Sequence, residues 1–201
     1  MNENKKRRDI RPSKGAFAAL AIVLLGFALV AYLLLSHQRR VVLLGDSIYA
    51  PLDAKQFGSN AVNMGVVADP TARILKRIAD IPEDTTDIFL EGGLNDLAYG
   101  RYDVALSNYA AIFKALPPAA KIHFAGVLPI DEQHLPAIYA VHVSNKKLAA
   151  FNTQIRPLCE SRPGCRWMPP PFESMPSSDG IHPDAAGRAI LLRWMADELA
   201  R

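Results

Sequence analysis

Three side chains in two separate stretches of the sequence have the types needed for nucleophilic catalysis. Ser47 ends the segment Val-Val-Leu-Leu-Gly-Asp-Ser, and Asp179 and His182 belong to the segment Asp-Gly-Ile-His-Pro. A serine nucleophile needs a base that takes its proton and an acid that orients the base. Ser47 is therefore a candidate nucleophile, His182 a candidate base and Asp179 a candidate acid. Each segment alone also has an ordinary interpretation, because such residues are common in turns.

Acyl transfer at a serine also needs hydrogen-bond donors for the oxyanion that develops in the transition state. The candidates are the backbone N–H groups of Ser47 and Gly65 and the side-chain amide of Asn95. Alternative roles exist for two of them. Gly65 could supply a positive φ in a turn, and Asn95 could cap a helix.

An alternation of apolar strands and amphipathic helices must position these side chains. Short apolar runs predict strands at 41–44, 61–65, 87–91, 121–128 and 166–168. Apolar residues at helical spacing predict helices at 71–79, 102–116, 143–159 and 184–200, the last with Pro183 at its start. This alternation is typical of a parallel sheet covered on both faces, so we expect an α/β fold with three layers. The loops that follow parallel strands meet at one edge of the sheet, where the candidate residues should come together.

The N-terminal part of the chain has a different composition. Residues 15–36 contain no charged residue, and this segment is long enough for one transmembrane helix. Residues 1–14 hold six basic and two acidic residues, and a basic flank normally stays in the cytoplasm. We therefore expect a cytoplasmic tail at 1–14, a helix at 15–36 in the inner (plasma) membrane, and a periplasmic or extracellular domain at 41–201. A cleaved signal peptide is the alternative, although no small-residue cleavage site closes the apolar run.

The net charge of the whole chain, +3, comes from this N-terminal part. Six basic minus two acidic residues give residues 1–36 a charge of +4, so the rest of the chain is near −1. The basic balance therefore describes the tail, and we expect no nucleic-acid partner. The sequence carries no signal for the oligomeric state.

Two cysteines, Cys159 and Cys165, stand with five residues between them. In an oxidising compartment they could close a small disulfide loop, and the alternative is two independent thiols. No nearby histidine or cysteine pair completes a set of metal ligands. We therefore expect neither a metal nor a cofactor.

Taken in order, four short blocks resemble those of the SGNH (GDSL-type) hydrolase superfamily. They are Gly45-Asp46-Ser47, then Gly65, then Gly93-Leu94-Asn95-Asp96, then Asp179-Gly180-Ile181-His182. The resemblance covers about residues 41 to 195, with isoleucine instead of leucine after Ser47. It implies a flavodoxin-like sandwich and metal-free ester hydrolysis. Ser47 would be the nucleophile, His182 the base and Asp179 its partner.

The same resemblance implies an oxyanion hole made by Ser47, Gly65 and Asn95, with Asp46 and Asp96 supporting the loops. The domain is short for the family, so we expect an open, shallow site. The expected function is that of a membrane-anchored serine esterase acting on acyl esters, such as O-acetyl groups of an envelope polysaccharide. Two alternatives remain: an acyltransferase with the same triad, and an inert envelope-binding module of the same fold.

Overall fold

The structure, a computed structural model, describes residues 23–27, 30 and 39–201. The chain divides into two units, 1–38 and 39–201. In the first unit the described residues are helical and their side chains are exposed. The predicted cytoplasmic tail and most of the predicted membrane helix lie outside the described residues. No helix within the described part of the chain is long and apolar enough to cross a membrane.

The second unit is built on one sheet of five parallel strands. They are β1 (Val41–Gly45), β2 (Val62–Gly65), β3 (Asp87–Glu91), β4 (Lys121–Gly126) and β5 (Cys165–Trp167). The strand order is β2-β1-β3-β4-β5, and every neighbouring pair is parallel. This is the flavodoxin-like order, in which the chain switches direction across the sheet beside β1. The predicted parallel sheet is thus confirmed, with each strand end within two residues of its predicted position.

Six α-helices connect or follow these strands in the described chain. They are α1 (Thr71–Arg77), α2 (Leu94–Leu97), α3 (Tyr102–Ala115), α4 (Ala137–Ala140), α5 (Asn145–Glu160) and α6 (Ala185–Leu199), with 3₁₀ turns at Ala54–Phe57 and Ile78–Asp80. The short helices α2 and α4 fall where the sequence predicted loops. A single turn of helix carries no periodicity that a sequence pattern could reveal.

Hydrogen bonds from side chains explain where several elements begin and end. Asp184 caps α6 by accepting from the N–H of Gly187, so Pro183 precedes the cap and is not the first helical residue. Strand β4 ends at Gly126, two residues before the predicted end. At that point the side chain of Asn152 replaces a strand partner. Its Oδ1 accepts from the N–H of Val127 at 2.9 Å, and its Nδ2 donates to the C=O of Val127 at 2.8 Å.

The two faces of the sheet have separate hydrophobic cores. Because successive strand residues point to opposite faces, Val42 and Leu44 pack on one side and Val41 and Leu43 on the other. The first core is completed by α1, α3 and α5, and the second by α6 and the segment after β1. The predicted three-layer α/β/α architecture is therefore confirmed for residues 39–201.

Cys159 and Cys165 form a disulfide, with their Cα atoms 5.3 Å apart. Of the two possibilities that the sequence left open, the structure contains the bonded one. The bond joins the end of α5 to the start of β5, and Cys159 is fully buried in the first core. It fixes the turn by which the chain returns to the edge strand of the sheet.

Candidate active site

Ser47, His182 and Asp179 form a continuous chain of hydrogen bonds at the carboxyl edge of the sheet. Ser47 lies two residues after β1, in a tight turn closed by a hydrogen bond from the N–H of Ala50 to the C=O of Asp46. His182 Nε2 is 3.1 Å from Ser47 Oγ, and His182 Nδ1 is 2.7 Å from Asp179 Oδ2. The structure thus brings together the three residues that the sequence proposed as nucleophile, base and acid.

Asp179 is held as an ionised acceptor by the turn that carries it. Its Oδ1 accepts hydrogen bonds from the backbone N–H groups of Ile181 and His182 at 2.9 and 2.8 Å, and from the hydroxyl of Ser177 at 3.0 Å. Partial burial acts to raise the pKa of Asp179, but the hydrogen bonds from His182, Ile181 and Ser177 outweigh it, so the pKa is lowered. An ionised Asp179 keeps a proton on His182 Nδ1 and leaves Nε2 free to accept from Ser47.

The turn at 177–183 is anchored at both ends. Ser177 and Pro183 form an isolated antiparallel bridge, and the N–H of Asp184 donates to the C=O of Pro176 at 2.9 Å. Gly180 has a φ of +84° and packs so closely against Leu135 that a Cβ would come within 2.6 Å of its backbone. Glycine is therefore required between Asp179 and His182.

Gly65, which the sequence predicts as an oxyanion donor, is held by other contacts in the structure. Its N–H donates to Asn63 Oδ1 at 2.7 Å, and it is not among the residues that line the cavity beside Ser47. A Cβ at this position would lie 2.5 Å from the backbone nitrogen of Ala50, so glycine permits close contact between β2 and the Ser47 turn. Because its N–H is already engaged, Gly65 is poorly placed to serve as an oxyanion donor.

Ala68 is the better candidate for that donor, and the sequence reasoning missed it. It lines the same cavity as Ser47, and within the described residues neither its N–H nor that of Ser47 donates a hydrogen bond. Ala68 has a φ of +61°, the only positive value at a non-glycine residue in the described chain. Such conformations are costly for alanine and tend to occur at functional sites. No residue in Val-Val-Ala-Asp-Pro signals a left-handed turn.

Ala68→Gly is expected to stabilise the protein by about 0.5 to 1 kcal/mol. Relief of the left-handed strain contributes about 1 to 2 kcal/mol, and the extra freedom of glycine in the unfolded chain offsets about half of it. The N–H is retained, so kcat should stay within about twofold. Urea unfolding measures the effect. Ala149→Gly on the exposed face of α5 serves as the control and should destabilise by about 1 kcal/mol. A similar loss of unfolding free energy in Ala68→Gly would contradict a strained left-handed backbone at Ala68.

The amide of Asn95 is fixed by two acceptors. Asn95 Nδ2 donates to Asp46 Oδ2 at 3.2 Å and to the C=O of Asp69 at 3.1 Å. The amide lines the cavity beside Ser47, as predicted, but both of its N–H groups already have acceptors. A hydrogen bond from Asn95 to a substrate oxygen would therefore be shared with one of these. Asp96, predicted as a supporting residue, is buried and accepts from both the N–H and the hydroxyl of Thr71.

Asp46 and Glu91 form a buried carboxyl pair next to Ser47. Asp46 is 1 % and Glu91 2 % exposed, and the N–H of Asp46 donates to Glu91 Oε1 at 3.2 Å. Burial, together with the charge of Asp46 and the hydrogen bond to it, raises the pKa of Glu91 well above its usual range. Burial also raises the pKa of Asp46, but hydrogen bonds from Glu91 and the Ile48 N–H limit the rise. Of the two carboxyl groups, Glu91 has the more strongly raised pKa.

The cavity beside Ser47 has a volume of about 300 Å³ and is open to solvent. His182 and Asp179 have about half of their side-chain surface exposed, at 48 and 53 %. Tyr99, Tyr139 and Arg101 also line the cavity, although nothing in the sequence singled them out. Within the described residues no group of three histidine, cysteine, aspartate or glutamate side chains could hold a metal ion.

Similar proteins share this fold. No family model and no curated protein matches the chain. A solved structure from Streptococcus pneumoniae, provisionally described as a platelet activating factor, matches with a TM-score of 0.71 at 24 % identity, over 90 % of this chain and 99 % of that one. A GDSL-like lipase from Bacteroides thetaiotaomicron matches with a TM-score of 0.67 at 17 % identity, over 81 % of this chain and 88 % of that one. The aryl esterase of M. smegmatis matches with a TM-score of 0.61 at 16 % identity, over 81 % of this chain and 98 % of that one. At these identities the likeness establishes the parallel α/β fold.

Proposed function

We propose that the chain is a serine hydrolase of acyl esters, of the SGNH (GDSL) type. The observation that carries the proposal is the hydrogen-bonded series Ser47–His182–Asp179, which stands at the carboxyl edge of a parallel sheet beside an open cavity. The GDSL-like lipase and the aryl esterase whose folds resemble this chain support the same chemistry by analogy.

In the proposed reaction Ser47 Oγ attacks the acyl carbon while its proton passes to His182 Nε2. The tetrahedral intermediate collapses when the imidazolium donates that proton to the leaving alcohol oxygen, and the acyl group remains on Ser47. Water then attacks the acyl-enzyme and gives a proton to His182 Nε2. When the bond from the acyl carbon to Ser47 Oγ breaks, the imidazolium returns this proton to Oγ, and the carboxylic acid leaves. Asp179 stabilises the imidazolium in both steps without taking its proton.

The negative charge on the acyl oxygen would be stabilised by the backbone N–H groups of Ser47 and Ala68 and by the amide of Asn95. Ala68 replaces Gly65 in this role because the Gly65 N–H is engaged by Asn63. Fixed donors of this kind are effective because they need no reorganisation when charge develops. The left-handed backbone at Ala68 and the two acceptors of Asn95 supply that fixation.

The open cavity suits a small acyl group better than a long chain. Its exposed triad and short surrounding loops leave room for a bulky alcohol such as a sugar. We extend the proposal to O-acyl esters of an envelope polysaccharide, with the chain anchored by the apolar segment at 15–36 and the domain outside the cytoplasm. This extension is supported by the uncharged segment and its basic flank.

A fluorophosphonate probe tests the proposal directly. The native chain should be labelled at one site per molecule, mapped to Ser47 by peptide mass spectrometry, and should hydrolyse p-nitrophenyl acetate. Prior acid unfolding should abolish both. Absence of labelling and turnover by the folded protein would refute ester hydrolysis, whereas labelling at another serine would refute the assignment of the nucleophile. Adding a sugar acceptor distinguishes hydrolysis from acyl transfer, because only transfer yields an acylated sugar.

A further inference from the structure

The pair Asp46–Glu91 connects two parts of the proposed site that are distant in sequence. Asp46 Oδ1 accepts from the N–H of Ile48 at 3.0 Å, which closes the turn around Ser47. Asp46 Oδ2 accepts from Asn95 Nδ2 at 3.2 Å. The carboxyl of Asp46 thus binds the nucleophile turn on one oxygen and an oxyanion donor on the other. Glu91 Oε1 accepts from the N–H of Asp46 at 3.2 Å, so the two buried carboxyl groups are neighbours.

We propose that Glu91 is a positioning residue. Its protonated carboxyl donates a hydrogen bond to Asp46, and this bond fixes the position of the Ser47 turn relative to the Asn95 amide. The inference rests on the ester hydrolysis proposed above. Glu91 does not touch the substrate in this scheme. It acts through Asp46 on the groups that do.

The surroundings of the pair explain why a proton must be present. Two neighbouring carboxylates that are both buried repel each other and lose their hydration, so such a pair ionises only once unless a cation compensates the second charge. The guanidinium of Arg77, which donates to the C=O of Gly45 beside Asp46, forms its ion pair with Asp69. The other titratable or charged groups around the pair are Tyr49, Tyr109, Asp96 and His182.

None of these groups can take over the role of the proton on Glu91. The Tyr109 hydroxyl donates to the C=O of Gly92 at 2.5 Å, and the Tyr49 hydroxyl, which is buried, has no hydrogen-bond partner among the described residues. Burial raises the pKa of both tyrosines, which therefore stay neutral. His182 is engaged by Ser47 and Asp179. Loss of the proton from Glu91 would thus push the two carboxylates apart and disturb the bonds that Asp46 makes.

Two substitutions separate this role from simple packing. Glu91→Gln keeps a hydrogen-bond donor toward Asp46 but has no proton to lose. It should keep kcat on p-nitrophenyl acetate within about threefold of wild type. Glu91→Ala removes the donor and should lower kcat by about 10- to 100-fold with little change in KM. The kcat of the wild type should fall at alkaline pH as Glu91 ionises, and this fall should be absent in Glu91→Gln.

Stability against pH supplies a readout that does not depend on activity. Free glutamate ionises near pH 4.3, so above that pH the unfolded chain has lost a proton that the native chain keeps on Glu91. The unfolding free energy should therefore decrease as pH rises from about 4.3 to the raised pKa. Urea titrations at several pH values should show this decrease in wild type and a smaller one in Glu91→Gln. This comparison remains informative if Glu91→Ala fails to fold.

Glu198→Gln is the matched control, because Glu198 is also a buried glutamate but pairs with Arg166 and Arg201 away from the cavity. Glu198→Gln should show the same fall of kcat at alkaline pH as the wild type. The inference is overturned if Glu91→Gln loses as much activity as Glu91→Ala, or if it keeps the alkaline fall of wild type. A wild-type protein that neither labels nor hydrolyses esters would instead overturn the proposed function, and the inference with it.

Discussion

Replacing Ser47 or His182 by alanine is expected to lower kcat by about 10⁴- to 10⁶-fold, and replacing both should cost no more than replacing one. The two side chains act as one unit, since Ser47 Oγ is a poor nucleophile without a base and His182 has no proton to take without Ser47. Steady-state kinetics on p-nitrophenyl acetate measure the three variants. KM should change little, because neither side chain is needed to hold the ground state.

A second Asp-x-x-His pair in the same chain provides the control. His134 Nδ1 lies 2.5 Å from Asp131 Oδ2, with the same spacing in sequence as His182 and Asp179. His134 is exposed and does not line the cavity beside Ser47. His134→Ala should therefore keep wild-type kcat. Independent, multiplying losses for Ser47→Ala and His182→Ala would show that the two residues do not work together.

Asn95→Ala is expected to lower kcat by about 10²- to 10³-fold, the usual loss when one oxyanion donor is removed. The KM should change by less than about threefold, because the donor acts on charge that is present only in the transition state. The variant also loses the bonds to Asp46 and Asp69, which should reduce the unfolding free energy by about 1 to 2 kcal/mol. Kinetics and urea unfolding on the same preparation separate the two effects.

Asn152→Ala controls for the loss of a partly buried amide. Asn152 makes two hydrogen bonds to Val127, so its removal should cost similar stability, but it does not line the cavity beside Ser47. Its kcat should stay within about twofold of wild type. If Asn152→Ala and Asn95→Ala lost the same factor in kcat, the loss at position 95 would reflect destabilisation and not the proposed donor.

The architecture of residues 39–201 could be predicted because its first strand is apolar on both faces. Val41 to Leu44 is fully buried, and a short apolar run of this kind is typical of a strand in a parallel sheet that is covered on both sides. The alternation with longer amphipathic helices then leaves few topologies. The grouping of Ser47, Asp179 and His182 could be predicted for the same reason, since a parallel sheet brings the ends of its strands to one edge.

Features that depend on backbone conformation or on distant pairing could not be predicted. Nothing in the type of Ala68 indicates a left-handed residue, so a glycine three positions earlier was the natural candidate for the donor. Glu91 reads as the polar end of a strand, because its partner Asp46 stands 45 positions away and only the fold brings them together. The predicted membrane helix lies mostly outside the described residues and stays a prediction.

The location of Asp179 and His182 on one short turn has a consequence for how the triad is maintained. The acid and the base are joined to each other through the backbone as well as through their side chains, and the turn is tied at Ser177–Pro183. If this turn shifts, both side chains move with it and keep their position relative to each other. In the proposed mechanism only one distance between separate segments must therefore be maintained, that from His182 Nε2 to Ser47 Oγ, whereas a triad drawn from three segments must maintain two.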